Sequence, residues 1–363
     1  MSGGFGIGLR VPGGCYHVIN GWNNNEPSCY YNDNFHDHID DLIAQVQSIG
    51  NVGWLIVGIT SGADGQGYLT WHSVLNEILP LSAPPPPSQG GKDSFHALAV
   101  ACKNAGIRLI AYVATEGPAK LKHGARKAYD VVDGTSASMN TWMDYVESKY
   151  GVPVDRADRY DPTLMRGFAD IIIKEFAFRY RDLIDGWWFD HAIFGNRQLL
   201  AEHIRAANPN AVIAFNFGQK VPLINNNGDL EDYTYGHPTP IARVPSSAVN
   251  NTGMVTSVEA SDNGYFYKDG HPSLGHLFMP VSDSWNALRS TESVWSQEQA
   301  RDWMSRVLNS GGAWTWNSEF CGMMLLLRLF RFEVSKFDVF VLFCSPSLLQ
   351  PAPESVHASR ESR

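Results

Sequence analysis

The chain alternates short apolar runs with longer amphipathic stretches, and this alternation restricts its fold more than any other feature. Amphipathic stretches separate most of the apolar runs; one of them, residues 94–106, begins at Ser94 and ends at Gly106. Strands that alternate with helices form parallel sheets, and eight such repeats predict an α/β protein with a (β/α)8 TIM-type barrel. The runs with the length and apolar content of strands are residues 5–10, 54–60, 107–113, 184–190, 211–216, 254–259, 275–280 and 312–317.

We expect the barrel to be a single domain that spans residues 1–320. The proline-rich run at 82–91 is interpreted as a surface excursion, because the barrel pattern resumes after it. A doubly wound sheet is disfavoured, since no GxGxxG turn follows the first run. Residues 321–363 form an apolar tail without helical or strand periodicity, and we expect it to be disordered or the product of a misread reading frame.

The composition excludes several functional classes. The net charge is −9 and no cluster of Lys and Arg is present, which argues against a nucleic-acid partner. The tail does not predict a membrane span, because it is interrupted by Arg328, Arg331, Glu333, Lys336 and Asp338, whereas a span needs about 20 mostly apolar residues. The 11 Trp suit a cleft that stacks on sugar rings, although core packing accounts for them equally well.

Cysteines and the start of the chain bear on the cellular compartment. The five Cys are scattered without a CxxC pair, which favours neither a zinc site nor a disulfide framework, and pairing of Cys15 with Cys29 stays open. The opening MSGGFGIGLR lacks the basic and then apolar pattern of a signal peptide, so we expect either an intracellular protein or an incomplete start. The sequon at Asn250 favours secretion weakly, and the compartment stays undetermined.

Candidate catalytic residues come from the ends of the predicted strands, because barrel enzymes place their catalytic groups there. Asp190 ends the run LIDGWWFD, and a carboxylate in so apolar a setting must be paired or functional. Glu259 ends the sixth predicted strand, 69 residues later. Two such carboxylates predict a glycosidase, with Asp190 as nucleophile and Glu259 as acid/base, about 5–5.5 Å apart if configuration is retained. The alternatives are that Asp190 caps the next helix and that Glu259 lies in a solvated loop; Glu231 is the next acid/base candidate.

The chain resembles the α-L-fucosidases of glycoside hydrolase family 29. GWWFDH is similar to that family's Trp-Phe-Asp motif, which implies that Asp190 is the nucleophile, and SVEAS lies where the family commonly carries its acid/base glutamate. The stretches DSFHALAVACKNAGIRLIAYVAT and SWNALRSTESVWSQEQARDWMSRVLNSGGAWTWN extend the resemblance over about residues 5–317. It implies a retaining glycosidase that removes a terminal fucose-like sugar, in an extracellular, lysosomal or vacuolar setting.

Two departures from that family concern the sugar rather than glycoside cleavage. The family's His-Trp-Gly motif is replaced by GLRVPGG, and its paired histidines are missing from TSGADGQGYLTWHS, where Trp71 and His72 are expected to supply part of the contact. His237 in YGHPTP is either a substrate hydrogen-bonding group or an ordinary loop histidine. The substrate-binding residues that we predict are Trp71, His72, Tyr112, Trp188, His191, Asn216, His237, Trp285 and Trp316, with Trp187 adding to the apolar floor.

Two other functions remain open at this point. His36-x-His38 has the spacing found in metal-dependent barrel hydrolases, although a helix start explains the pair more simply. A carbohydrate-binding barrel without turnover would keep the aromatic cleft and explain the missing histidines. For the glycosidase we expect a carbohydrate substrate as the partner and neither a metal nor an organic cofactor.

Overall fold

The computed structural model describes residues 4–10, 33–61, 67–79, 83–115, 133–156, 158, 160–192, 196–216, 223–237, 249–281 and 295–319. The strands are β1 Phe5–Arg10, β2 Val52–Gly58, β3 Thr60–Ser61, β4 Gly67–Tyr68, β5 Arg108–Ala114, β6 Gly186–Asp190, β7 Val212–Phe215, β8 Tyr265–Lys268, β9 His271–Leu274, β10 His276–Pro280 and β11 Ala313–Glu319. The α-helices are α1 Asp33–Asp37, α2 Ile39–Ile49, α3 Ser73–Ile78, α4 Ser94–Asn104, α5 Asp133–Tyr150, α6 Pro162–Gly167, α7 Lys174–Tyr180, α8 Arg197–Ala207, α9 Val249–Glu259 and α10 Gln297–Asn309. A π-helical turn, Phe168–Ile173, joins α6 to α7.

Seven strands form one parallel sheet in the order β10-β11-β1-β2-β5-β6-β7. Successive strands of this sheet pair with each other except β7 and β10, which are its two edges, and the last strand, β11, pairs with the first. This is the strand order of a barrel that is open between β7 and β10. One large apolar cluster lies between the sheet and the helices, and a smaller one lies on the inner face of the sheet. At this level the predicted α/β, TIM-type architecture agrees with the structure, in which the regular sheet has seven strands.

An irregular segment, residues 232–236, lies between the two edge strands of this sheet. The N–H of Asp232 donates to the carbonyl of Ile213 in β7 at 2.9 Å. The N–H of Thr234 donates to the carbonyl of Leu274, two residues before β10, at 2.8 Å. The segment therefore runs parallel to β7 and β10 and hydrogen-bonds to the chain on both sides, although it is not a regular strand.

The prediction of a strand at 254–259 is wrong, because these residues form the last part of α9. Met254, Val255 and Val258 are buried at the spacing of one helical turn, which places all three on one face of a helix. A run of six apolar and polar residues does not distinguish a short strand from part of a helix. The position of the missing strand is taken by residues 232–236.

Several helices begin at a side chain that caps their first turn. Ser296 and Asn196 cap α10 and α8 by accepting the N–H groups of Gln299 and Leu199. The cap of α4 is Asp93 rather than the predicted Ser94, since the carboxylate of Asp93 accepts the N–H of His96 at 2.9 Å. No helix in the described part of the chain has the length and apolarity needed to cross a bilayer. The predicted tail, residues 321–363, lies outside the described residues, as do Cys15 and Cys29.

Candidate active site

Strand β6 delivers two functional side chains to the inner face of the sheet. Successive side chains of a strand point to opposite faces, so Trp188 and Asp190 share one face and Trp187 and Phe189 share the other. Trp187 and Phe189 belong to the cluster under the helices, and Trp188 belongs to the inner cluster. Asp190 therefore lies on the inner face at the carboxyl end of the strand, as predicted, and it is only 6% exposed.

The carboxylate of Asp190 is held by donors from three neighbouring elements. Its Oδ1 accepts the side-chain amide of Asn216 at 2.7 Å and the N–H of His191 at 3.0 Å. Its Oδ2 accepts the hydroxyl of Tyr112 from β5. An ionised carboxylate is a pure acceptor, so this set of donors stabilises its negative charge where little water reaches it. The arrangement fixes the carboxylate of Asp190 in one orientation.

Backbone hydrogen bonds fix the turn that follows Asp190. The N–H and hydroxyl of Thr115 donate to the carbonyl of Asp190 at 3.1 Å and 2.8 Å. The N–H of Ala192 donates to the carbonyl of Asn216 at 2.6 Å, and the N–H of Asn216 donates to Phe189 at 2.7 Å. Asn216 thus binds the carboxylate through its side chain and the adjacent turn through its backbone, as expected for a residue that positions Asp190.

His191 adopts a left-handed backbone conformation, with φ of 55°. This region is uncommon for residues other than glycine and costs energy, and such residues are found at functional sites. The conformation brings the N–H of His191 onto the carboxylate of Asp190. The imidazole Nε2 lies 3.7 Å from Oδ2 of Asp190, with the side chain 38% exposed. His191 was predicted as a substrate-binding residue, and the structure places it beside Asp190.

Trp188 forms an aromatic platform beside Asp190. Its ring stacks on Tyr112, with centroids 5.3 Å apart and planes at 17°, and meets Phe278 edge to face at 5.3 Å. The indole N–H donates to the carbonyl of Tyr235 at 3.1 Å, which fixes the ring. His237 lies on the same platform, 6.3 Å from the Trp188 ring centroid. The structure therefore brings Tyr112, Trp188 and His237 together with Asp190.

Two inner-face glycines of β1 make room for this platform, and sequence analysis did not identify them. A Cβ at Gly8 would lie 2.4 Å from the ring of Phe278, and a Cβ at Gly6 would lie 2.1 Å from the indole of Trp54. Only glycine permits these approaches. The signal was present in the alternating glycines of FGIG, which occupy one face of the strand.

Glu259 does not face Asp190, so the predicted position of this residue at the catalytic edge is corrected. It ends α9, next to Val258, whose side chain lies against Gly275 and Gly312, the residues just before β10 and β11. In a parallel sheet the strand starts lie at the edge opposite the strand ends, so Glu259 and Asp190 occupy opposite ends of the barrel. Glu259 forms a bidentate ion pair with Arg306 at 2.7 Å, and this bond lowers the pKa of the carboxyl.

Glu231, the second acid/base candidate, also lies at the wrong edge. It precedes Asp232, which bonds to the start of β7, and its carboxylate accepts the amide of Asn227 at 2.5 Å and the hydroxyl of Ser273 at 3.2 Å. Burial raises its pKa to about 7. Such a pKa alone would suit an acid/base catalyst, but the position excludes a direct role at Asp190.

Trp71 and His72 contact the helical layer rather than Asp190. His72 is fully buried and caps α3 by accepting the N–H of Leu75, while its other ring nitrogen lies 3.2 Å from the carbonyl of Ile171. Burial lowers its pKa to about 4, so it is neutral. Trp71 packs against Arg179 of α7. Both residues were predicted to bind substrate, and the structure places them in the helical layer.

Three predicted tryptophans either point away from the cleft or lie outside the described residues. Trp316 belongs to the cluster between sheet and helices, because alternation along β11 places Thr315 and Asn317 inward instead. Trp187 points outward in the same way. Trp285 lies outside the described residues.

The candidate metal pair is split between two partners. The Nδ1 of His36 lies 3.3 Å from the hydroxyl of Ser94, and the Nδ1 of His38 lies 2.8 Å from the carboxylate of Asp41. Across the described ranges, no group of three or more His, Cys, Asp or Glu side chains has the geometry to hold a metal ion.

Comparisons with known proteins agree with this geometry in fold. MfFcnA4, an endo-fucoidan hydrolase from glycoside hydrolase family 107, superposes with a TM-score of 0.67 at 23% identity, over 91% of this chain and 52% of that one. P5AFcnA, from the same glycoside hydrolase family, gives a TM-score of 0.67 at 18% identity over 91% of each chain. MfFcnA9 gives 0.64 at 22% identity, over 91% of this chain and 62% of that one. The chain thus spans about half the length of MfFcnA4.

Sequence comparison identifies the family. A comparison with curated proteins gave no match. The profile of the family described as "Endo-alpha(1,4)-fucoidanase Mef1" matches residues 12–230 and 220–325, which is most of the chain. The resemblance noted from the sequence motifs was therefore right in pointing to fucose-related glycoside hydrolases, although toward a different family. This chain belongs to the endo-alpha(1,4)-fucoidanase Mef1 family.

Proposed function

We propose that this chain is a glycoside hydrolase that cleaves α-L-fucosidic bonds within a fucan by a retaining double displacement on Asp190. One observation carries the proposal: a buried carboxylate at the carboxyl edge of the sheet, oriented by Asn216, Tyr112 and the N–H of His191 beside the Trp188 platform. Membership of a family described as endo-fucoidanase supports the substrate class.

In the first step, the carboxylate of Asp190 attacks the anomeric carbon, the bond to the leaving oxygen breaks, and a covalent glycosyl-enzyme forms. In the second step, water gives a proton to the group that protonated the leaving oxygen, attacks the same carbon and releases the carboxylate, so the configuration is retained overall. The donors around Asp190 hold its carboxylate in place before the reaction. Less freedom is then lost on reaching the transition state, which lowers the activation free energy. Trp188 supplies an apolar face for the sugar ring.

His237 is the proposed proton donor to the leaving oxygen. It directly follows residues 232–236, which run parallel to β7 and β10, so it lies at the same edge as Asp190. Its ring is half-buried on the Trp188 platform, within reach of a sugar that stacks there. Histidine is the residue most often used for proton transfer near neutral pH. His237 thereby takes the role that sequence analysis gave to Glu259.

The bond is proposed to be internal rather than terminal. The resemblance to family 29 implied removal of a terminal fucose-like sugar, whereas the family that the chain belongs to is described as endo-acting. The two modes leave different products, since an endo-acting enzyme shortens the polymer before any monosaccharide appears.

The proposal is tested by incubating the protein with a fucan and following polymer size and free fucose together. We expect the average mass to fall while free fucose stays at background, and an Asp190→Asn variant to lose activity by about a thousandfold or more. Asp185→Asn is the matched control: the same residue type precedes β6 at the opposite edge, where its carboxylate accepts the N–H of Leu109 at 2.9 Å. It should retain activity.

The outcomes separate the alternatives. Release of free fucose without loss of polymer mass would replace the endo mode by the exo mode. A folded protein that binds the polymer and cleaves none of it would favour the carbohydrate-binding barrel. Loss of activity in His237→Gln that is much smaller on an aryl glycoside with a good leaving group supports its role as proton donor, whereas an equal loss on both substrates would contradict it.

A further inference from the structure

His191 combines a fixed backbone with an accessible side chain. Its N–H donates to Oδ1 of Asp190 at 3.0 Å, and its φ of 55° lies in the left-handed region. Asp190 is only 6% exposed, whereas the side chain of His191 is 38% exposed. The imidazole is therefore the part of this turn that a molecule entering the cleft meets directly.

The turn on both sides of His191 is hydrogen-bonded, which limits the positions that its imidazole can take. The carbonyl of Asp190 accepts the N–H of Thr115 at 3.1 Å, and the N–H of Ala192 donates to the carbonyl of Asn216 at 2.6 Å. A left-handed residue with a side chain costs energy and persists where the surrounding structure enforces it. The imidazole thus projects from a fixed point beside the carboxylate.

The imidazole lies within reach of the sugar atoms next to the reacting carbon. Its Nε2 is 3.7 Å from Oδ2 of Asp190. In the proposed first step, the anomeric carbon comes to about 3–3.5 Å from the attacking carboxylate oxygen. The leaving oxygen departs on the opposite face of the sugar. The ring oxygen and the oxygen at C2 are therefore the sugar oxygens nearest to the imidazole.

The chemistry of the transition state distinguishes between these two oxygens. The ring oxygen shares the positive charge of an oxocarbenium-like transition state, so an N–H donor pointed at it would raise the barrier. The oxygen at C2 stays an acceptor, and a hydrogen bond to it that strengthens in the transition state lowers the barrier. Imidazole carries an N–H in its neutral form and two when protonated, so either form can donate.

We propose that the imidazole of His191 donates a hydrogen bond to the oxygen at C2 of the fucosyl residue that Asp190 attacks. The contact rests on the proposed function, in which that residue is an α-L-fucosyl unit of a fucan. His191 then selects sugars that carry an oxygen at C2. A sulfate ester at this position is compatible with the contact, because sulfate oxygens are also acceptors.

The test uses two aryl α-L-fucosides with the same activated leaving group, one with a hydroxyl at C2 and one 2-deoxy. His191→Asn shortens the side chain, and asparagine tolerates the left-handed backbone. On the substrate with the hydroxyl, the variant should lose about 10- to 100-fold in kcat/KM, mostly in kcat, because the bond is strongest in the transition state. On the 2-deoxy substrate, the variant and the unmodified protein should agree within about twofold.

His271→Asn is the matched control. His271 is an exposed histidine on β9, which leads into the start of β10 at the edge opposite Asp190, so its replacement should leave both rates unchanged. An equal loss in His191→Asn on both substrates would overturn the proposal, because a variant that only disturbs Asp190 affects both substrates alike. His191→Gly also accommodates the φ of 55° and gives the same comparison if the Asn variant does not fold.

Binding of free sugars separates this contact from the proposed function. Isothermal titration calorimetry should show that the unmodified protein binds L-fucose up to about tenfold more tightly than 2-deoxy-L-fucose, and that His191→Asn removes this preference. The same result in a protein that hydrolyses neither fucan nor the aryl fucosides would support the contact while the proposed function fails. Hydrolysis of fucan with equal losses on both fucosides would support the proposed function and reject the contact. A protein that hydrolyses nothing and shows no preference would reject both.

Discussion

Glu231 offers a quantitative test of where the acidic residues lie. Its side chain is 2% exposed, and burial raises its pKa from the ordinary 4.5 to about 7. At a pH between these two values, folding is therefore accompanied by uptake of a proton, because Glu231 is protonated in the folded state and ionised in the unfolded state. The contribution of Glu231 to the free energy of unfolding is fully present below about pH 4.5 and is lost as the pH rises through about 7.

The size of the effect follows from the two pKa values. A difference from 4.5 to about 7 corresponds to about 3 kcal/mol of unfolding free energy. Glu231→Gln has no such titration, so it should be about 2–3 kcal/mol more stable than the parent at pH 8. At pH 5 it should be equal to the parent or about 1 kcal/mol less stable, because one of the bonds to Asn227 or Ser273 is weakened.

Denaturant unfolding of both proteins at pH 5, 6, 7 and 8 measures this difference, and groups common to both cancel. The variant should also retain its hydrolytic activity, because Glu231 lies at the edge opposite Asp190. A stability difference that is the same at every pH would refute the account of its burial. Loss of turnover in a folded Glu231→Gln protein would refute its placement and restore it as an acid/base candidate.

Three further predictions concern the site. Glu259→Gln should leave kcat on a fucan within about twofold, because the carboxylate is paired with Arg306 at the far edge; a loss of a hundredfold would restore its catalytic role. Asn216→Ala removes a 2.7 Å hydrogen bond to the carboxylate of Asp190. Loss of about 1.5–3 kcal/mol of transition-state stabilisation should lower kcat by roughly 10- to 150-fold, with little change in the circular dichroism spectrum. An unchanged kcat would contradict the positioning role of Asn216. Glycine at position 191 accommodates the φ of 55°, whereas valine does not. Thermal unfolding should therefore show His191→Val to be less stable than His191→Gly by about 1 kcal/mol or more. Equal stabilities of the two variants would argue against the left-handed conformation.

The sequence predicted the position of Asp190 at the end of its strand well, for a physical reason. The run GWWFD is wholly buried, and its last residue is the point at which a parallel strand leaves the sheet. Asn216 followed from the same rule applied to the next strand. These residues lie together because parallel strands end at one edge, which needs only strand order and not detailed packing.

The misplacement of Glu259 comes from one segment. MVTSVE was predicted as the sixth strand, which carried Glu259 to the catalytic edge; in the structure it belongs to α9. The segment that occupies that place, DYTYG (residues 232–236), mixes charged, aromatic and small residues and forms no regular strand. Tyr233 and Tyr235 of this segment are buried on the inner face of the sheet. Their alternation indicates a strand only when the two flanking strands, β7 and β10, are known. The local sequence pattern could not show which of the two segments, 254–259 or 232–236, takes the place of the sixth strand, because that depends on hydrogen bonds to distant parts of the chain.

Covalent trapping tests the central claim most directly. A fluorinated fucosyl substrate with an activated leaving group slows the second step more than the first, so the glycosyl-enzyme accumulates and its modified peptide can be sequenced by mass spectrometry. The account predicts one labelled residue, Asp190, and no labelling of the Asp190→Asn variant. Labelling of any other carboxylate, or turnover with inversion and no adduct, would contradict it.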